Sequence, residues 1–255
     1  MVKIERSPTP PKSLEEEKAK PNSENYRGMD VVRLLRKSFH QKCYICGLKP
    51  APDIEVEHLR PHHGGKDRDL MFDWNNLFLS CRHCNNIKNR KKYEQNVVDC
   101  CALDPELLVE QRIEYKIDDP TLPEDDWNFE THVYVNSRNE SDEAIVTAEL
   151  IQDCFERREY GIRESGSEVR SELLMRHMEC LRHALEKYSA EGQTEEKKAE
   201  RLSVLRGMLS RKYKFAGFAR MYVRDHLDQY PELEDLVCLN PSIPQTYNVR
   251  EEEDT

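Results

Sequence analysis

The chain has 255 residues, of which 37% are hydrophobic and 35% charged, and a formal net charge of -10. That length can bury a real core without help from a metal, and a charge of that sign, evenly spread, would repel a polyanion. There is no long apolar run and the opening MVKIERSPTPPK lacks the apolar core of a signal peptide, so a cytoplasmic protein without membrane contact is expected. Residues 1–28, with SPTPP, SLEEEKAK and PNSEN, read as an extended or flexible arm. Within it Val2 and Ile4 alternate with Lys3 and Glu5, as in a short strand able to add to a partner's sheet edge.

MDVVRLLRKSF follows, with apolar residues at Val31, Val32, Leu34, Leu35 and Phe39 in helical spacing. It leads into CYIC at 43–46. IEVEHL and NLFLS are predicted as two short strands joined by a charged loop containing Gly64 and Gly65, and the second runs into a helix over CRHCNNIKNRKKY. Residues 29–95 thus make one unit. An irregular stretch follows, including the Pro-marked DDPTLPEDDW, and then a mostly helical region over 96–245, with candidate helices at 142–164, 166–190, 194–211 and 215–229. The last ten residues, 246–255, are an acidic tail.

The two C-x2-C pairs, Cys43 with Cys46 and Cys81 with Cys84, can each set two thiolates on one side of a tetrahedron, giving a closed and therefore structural Zn2+ site. The 34 residues between Cys46 and Cys81 exceed zinc-ribbon spacing, so a substantial element is built inside the loop. The other five cysteines, Cys100, Cys101, Cys154, Cys180 and Cys238, read as small, mostly buried hydrophobes in a reducing compartment. From Arg82 to Lys92 five Lys or Arg occur without an acid, a confined strip for phosphate contact on an acidic chain.

Inside the zinc loop, Glu57-His58 with Pro61, Asn76 before Leu77, and Asn85 with Lys88 after the second Cys pair together resemble the HNH, or ββα-metal, nuclease family. The fold expected is α+β and mostly helical, an HNH core with a four-cysteine zinc plus a C-terminal helical region. The resemblance implies that His58 is the general base, that Glu57 and Asn85 hold a catalytic divalent metal, and that Asn76 holds the hairpin in shape. Two oxygen ligands leave most of the shell to water and phosphate, which suits Mg2+ or Mn2+. Glu57 departs from the commoner Asp, and Asn85 stands where many members have His. Lys88, Lys92 and Arg60 are the candidate contacts to nucleic acid, Lys88 and Lys92 on one helix face. His62 and His63 flank the site, and His83, between two zinc ligands, is expected to be exposed.

At lower specificity, MVKIERSPTPPKSL, WNNLFLSCRHCNNIK, LDP at 103–105 and KYKFAGFARMYVRDH resemble the PtuB-like HNH subunits of Septu-type anti-phage defence systems, also found with some retrons. That resemblance implies an ABC/SMC-type ATPase partner. Two other readings compete: a zinc-knuckle module that only binds nucleic acid or protein, and a stand-alone restriction-type HNH nuclease. The first has no use for His58 at its position; the second sits poorly with an acidic chain and a long helical region. DNA and RNA remain open as substrates.

Overall fold

The structure, a computed structural model, describes residues 1–117, 121, 123 and 129–239. The acidic tail and most of DDPTLPEDDW lie outside the described residues. In chain order the elements are α1 (Lys12–Lys18), α2 (Met29–Ser38), β1 (Ile54–His58), α3 (Arg68–Phe72), β2 (Leu77–Cys81), α4 (Arg82–Lys88), β3 (Val109–Ile117), β4 (Phe129–Ser137), α5 (Asp142–Glu156), β5 (Arg158–Glu159), β6 (Ile162–Arg163), α6 (Ser165–Ser189), α7 (Glu195–Met208), α8 (Ala216–Asp225) and α9 (Glu234–Val237). The fold is mixed and helix-rich.

β1 and β2 pair antiparallel, with Glu57 opposite Phe78 and His58 opposite Leu77. β2 is buried along its whole length, so its LFLSC carries no polar-out alternation. Cys81 ends this strand and is also the N-cap of α4, which folds the helix straight back over the hairpin. The first Cys pair is held beside it by Tyr44 N donating to Leu79 O at 3.0 Å, and its turn closes with Gly47 N donating to Cys43 O at 2.9 Å and Gly47 at φ +75, a conformation that glycine adopts without strain.

The region after Tyr93 is not purely helical. β3 and β4 form an antiparallel hairpin of two nine-residue strands, against which α5 packs: its Gln152 Nε2 donates to Val133 O and its Oε1 accepts from Val135 N. The helix expected over 142–164 stops at Glu156. There Tyr160 and Gly161, both at positive φ, turn the chain into the β5–β6 hairpin, a two-residue loop of the kind that favours glycine.

A single apolar core runs from Met1 to Val237 and includes both the cysteine region and the helices. Phe155 of α5 packs edge-on against Phe218 of α8 at 5.2 Å, and Phe215 N donates to Gly47 O at 3.0 Å, so the helical region grips the first Cys turn directly. Deeper still, Glu106 is fully buried yet paired with Arg220 at 2.9 Å, Arg224 at 2.8 Å and Arg211 at 3.1 Å. Three guanidiniums hold that carboxyl below its usual range although burial alone would raise it.

The N-terminal residues differ from the mobile arm expected of their composition. Met1, Val2 and Ile4 are buried, Ile4 N donates to Cys100 O at 2.9 Å, and the Arg6 guanidinium lies over the rings of Phe78, Trp74 and Phe39 at 4.6, 5.2 and 5.6 Å. The apolar alternation was real, but what it docks on is the chain's own core. Of the five additional cysteines, Cys100 and Cys154 are buried, whereas Cys180 and Cys238 are exposed, against the expectation.

Candidate active site

The four thiols of Cys43, Cys46, Cys81 and Cys84 are buried and their sulfurs all lie within 4.8 Å of one another. Burial holds Cys43 and Cys84 well above the usual thiol range, while hydrogen bonds from Cys43, Cys46 and Cys84 hold Cys81 well below it. Unaided, the buried cluster favours one thiolate; a dication at its centre would stabilise all four. Arg170 of α6 adds a cation from outside, its Nη2 3.0 Å from Cys81 Sγ. The donor set and spacing fit a tetrahedral zinc.

Next to this cluster a cleft of about 350 Å³ opens between the end of β1 and α4. Glu57, His58, Asn85 and Lys88 all line it, with Tyr26, Arg27 and His62 on the facing wall. Glu57 and His58 leave the strand on opposite sides, but β1 ends there and both reach the cleft. Glu57 is buried; Tyr44 Oη donates to its Oε1, and Lys88 Nζ lies 3.2 Å from its Oε2. Burial raises the carboxyl pKa, only partly opposed by Lys88 and Tyr44. Oε2 accepts no hydrogen bond.

His58 Nε2 is 3.0 Å from Met71 O. A carbonyl can only accept, so Nε2 carries the proton and Nδ1 keeps its lone pair. Burial pushes the His58 pKa down to about 4, helped by His62, Lys88 and Arg27 and opposed by the Met71 bond, which keeps the ring neutral near pH 7. Tyr26 meets the ring edge-on at 4.4 Å and His62 lies at 4.3 Å. Here are the parts of a general base: an unprotonated nitrogen, a fixed tautomer and a packed ring.

Asn85 Nδ2 donates to Glu55 Oε2 at 2.7 Å. Since a carboxylate accepts only, the amide orientation is set, and Asn85 Oδ1 is left buried with no hydrogen-bond partner. Two buried oxygens that accept no hydrogen bond, Glu57 Oε2, which faces the Lys88 ammonium, and Asn85 Oδ1, therefore belong to residues lining one cleft. Buried acceptors without donors are rare, and oxygen donors suit a hard divalent cation such as Mg2+ or Mn2+; this pair fits one. Asn76, 4% exposed, is placed differently from these four. Its Oδ1 accepts from Arg60 N at 2.8 Å, and its Nδ2 donates to Arg60 O and Leu70 O at 3.0 and 2.9 Å. It stitches the two ends of the β1–β2 connection together.

Residues 43–91 match the family model described as HNH endonuclease. No curated protein and no solved structure matches the chain. The matched HNH segment contains the cysteine cluster, both strands of the hairpin and α4, and supports nuclease chemistry on a nucleic-acid substrate.

The three residues expected to touch nucleic acid are engaged elsewhere. Lys88 is buried, 3% exposed, with Nζ donating to His58 O at 2.9 Å and Leu59 O at 3.0 Å besides its pairing with Glu57; it fixes the end of β1 and has no face left for phosphate. Helical spacing put it on one face with Lys92, but α4 lies flat on the hairpin and turns position 88 inward. Arg60 Nη1 donates to Val97 O at 3.0 Å. Lys92 pairs with Asp153 at 3.0 Å and lies over Tyr93, although its side chain stays half exposed. His83 is not free in solvent: Nε2 is 3.1 Å from Cys154 O, and α6 approaches so closely that a Cβ on Gly166 would lie 2.2 Å from His83 Nδ1.

Tyr26, Arg27, Tyr44 and Glu55 were not singled out by the sequence. Tyr26 and Arg27 reach the cleft only through tertiary packing from outside the HNH segment, so no local signal marks them. Glu55 could have been found: two residues before Glu57 on a strand, it shares that residue's face.

Proposed function

We propose that the chain is a metal-dependent HNH endonuclease that hydrolyses phosphodiester bonds, with β1, β2 and α4 as its ββα-metal core. The observation that carries this reading is the union in one cleft of a neutral His58, protonated at Nε2 and basic at Nδ1, with two buried oxygens of Glu57 and Asn85 that accept no hydrogen bond. His58 Nδ1 takes a proton from the attacking water, and Met71 O steadies the ring as it becomes charged. Glu57 and Asn85 would hold a Mg2+ or Mn2+ ion, which when bound supplies Lewis-acid stabilisation of phosphate oxygens. Asn76 and Lys88 keep the connection and the strand end in place, and Cys43, Cys46, Cys81 and Cys84 hold the structural zinc. A binding module that merely props a helix would have no use for a histidine held in one tautomer beside a buried carboxylate and an amide oxygen without a hydrogen bond.

We further propose that it works as the nuclease effector of an anti-phage complex, with an ABC/SMC-type ATPase presenting the nucleic acid. Besides the Septu-like segments, charge supports this. Tight binding to a phosphate backbone calls on several cations; the chain is formally -10, and Lys88 is spent internally. Among the cleft-lining residues, the exposed cation is Arg27. Nine cysteines without a disulfide among them suit the reducing cytoplasm. Among the described residues no helix is long and apolar enough to cross a membrane.

The test is metal dependence. Protein stripped of weakly held cations but retaining zinc is incubated at high concentration and low salt with plasmid DNA and with structured RNA, alone and with the candidate ATPase. Cleavage restored by Mg2+ or Mn2+ is expected, weak alone and stronger with the partner. Absence of cleavage under every condition would overturn the nuclease reading; vigorous cleavage alone at physiological salt would overturn the partner dependence.

A further inference from the structure

Glu57 and Asn85 each offer two polar side-chain atoms, and in each residue one atom is committed to a hydrogen bond and the other makes none, Glu57 Oε2 facing only the Lys88 ammonium at 3.2 Å. Glu57 Oε1 accepts from Tyr44 Oη, leaving Oε2; Asn85 Nδ2 donates to Glu55 Oε2, leaving Oδ1. The committed contacts decide which atoms remain, and they come from residues attached to the cysteine cluster. Tyr44 lies inside the first Cys pair, 1% exposed. Its backbone N donates to Leu79 O at 3.0 Å and its ring packs on Phe78 at 4.9 Å, so the phenol has no freedom to swing. Glu55 Oε1 is held by Arg82 Nε at 3.2 Å, and Arg82 directly follows Cys81.

We infer that Tyr44 and Glu55 are positioning residues that aim Glu57 Oε2 and Asn85 Oδ1 at one divalent cation, and so make the affinity of that cation depend on the zinc-bearing turns. The inference rests on the reading of the cleft as a divalent-metal site. A carboxylate or amide free to rotate must be ordered when the cation binds, and that ordering weakens binding; one already held by a second hydrogen bond is presented in place. Partners of this kind are commonly worth 10–100-fold in metal affinity. Tyr44 is the sharper case, because its hydroxyl touches Glu57 and neither thiolate of its own turn.

The test uses full-length, zinc-loaded protein carrying His58→Ala, so that nothing turns over, and measures Mn2+ binding calorimetrically alongside zinc content. Tyr44→Phe and Glu55→Ala are expected to weaken Mn2+ binding by about 10–100-fold with zinc unchanged. Glu55→Gln, which keeps an oxygen for Asn85 Nδ2, should recover much of the loss. With His58 restored, Tyr44→Phe should raise the Mn2+ concentration for half-maximal cleavage far more than it lowers the rate at saturating Mn2+. Wild-type Mn2+ affinity in Tyr44→Phe and Glu55→Ala would overturn the inference and leave the nuclease reading standing. Loss of zinc from Tyr44→Phe would overturn it too, showing that the phenol serves the cysteine turn. If the His58→Ala parent binds no Mn2+, the metal-site reading falls and takes the inference with it.

Discussion

Replacing Lys88 by Met separates a buried structural lysine from a surface phosphate contact. Met keeps much of the aliphatic stem but removes the ammonium, so three acceptors lose their partner at once: Glu57 Oε2 at 3.2 Å, His58 O at 2.9 Å and Leu59 O at 3.0 Å. Side-chain exposures of 4% for Lys88 and 2% for Glu57 mean that water cannot compensate. Removing one partner of such a buried pair costs about 3–5 kcal/mol, with the orphaned carbonyls included in that range because the losses share one site. An exposed lysine would cost about 0–1 kcal/mol. Urea unfolding of the zinc-loaded protein, followed by circular dichroism, reads the difference. The pair also makes a second, signed expectation. With Lys88 gone, Glu57 Oε2 no longer faces a competing cation, so a given Mn2+ concentration should stabilise Lys88→Met more than the wild type. A variant within about 1 kcal/mol of wild type would refute the structural role and return Lys88 to the substrate surface.

Cys81→Ser should lose zinc and unfold the hairpin with α4, because this residue both ends β2 and caps α4; metal analysis and a thermal melt check it, and a zinc-free variant with the wild-type melt would refute it. Ile4→Ala should destabilise the fold by about 2–5 kcal/mol, as for any well-packed core aliphatic, since Ile4 is 3% exposed; a mobile arm would show no change in chemical denaturation. His177 is buried beside Tyr213 and Phe215, and burial with Lys214 nearby lowers its pKa to about 4. The unfolded chain therefore binds its proton first, and the His177 contribution to stability is fully present above about pH 6.5 and is lost as pH falls from there towards 4. Unfolding free energies of wild type and His177→Phe across that window should diverge accordingly, the variant showing the shallower acid loss; parallel curves would contradict it.

The cysteine cluster was legible because C-x2-C is a local code: two residues of spacing bring two sulfurs together whatever surrounds them. The hairpin and α4 were legible for a similar reason, with the apolar strand running directly into the second Cys pair. What sequence could not give was direction. Whether Lys88 meets solvent or Glu57 depends on how α4 lies across the hairpin, and the expectation of a phosphate contact was drawn without that rotation. The N-terminal residues carried a strand-like alternation whose partner lay 96 positions away at Cys100. β3 and β4 went unseen because VEQRIEYKI and FETHVYVNS are rich in charged and polar residues, and their pairing is long-range. Tyr26 and Arg27 entered the cleft wall from a segment whose composition marks it as an extended or flexible arm.

The measurement closest to the central claim is single-turnover cleavage of a labelled nucleic acid in Mn2+ by the wild type and by His58→Ala, with zinc content and thermal stability recorded on the same preparations. The account predicts a loss of about 10²–10⁴-fold, the usual worth of a general base, in a variant that keeps its zinc and its fold. Cleavage by His58→Ala at the wild-type rate would contradict it.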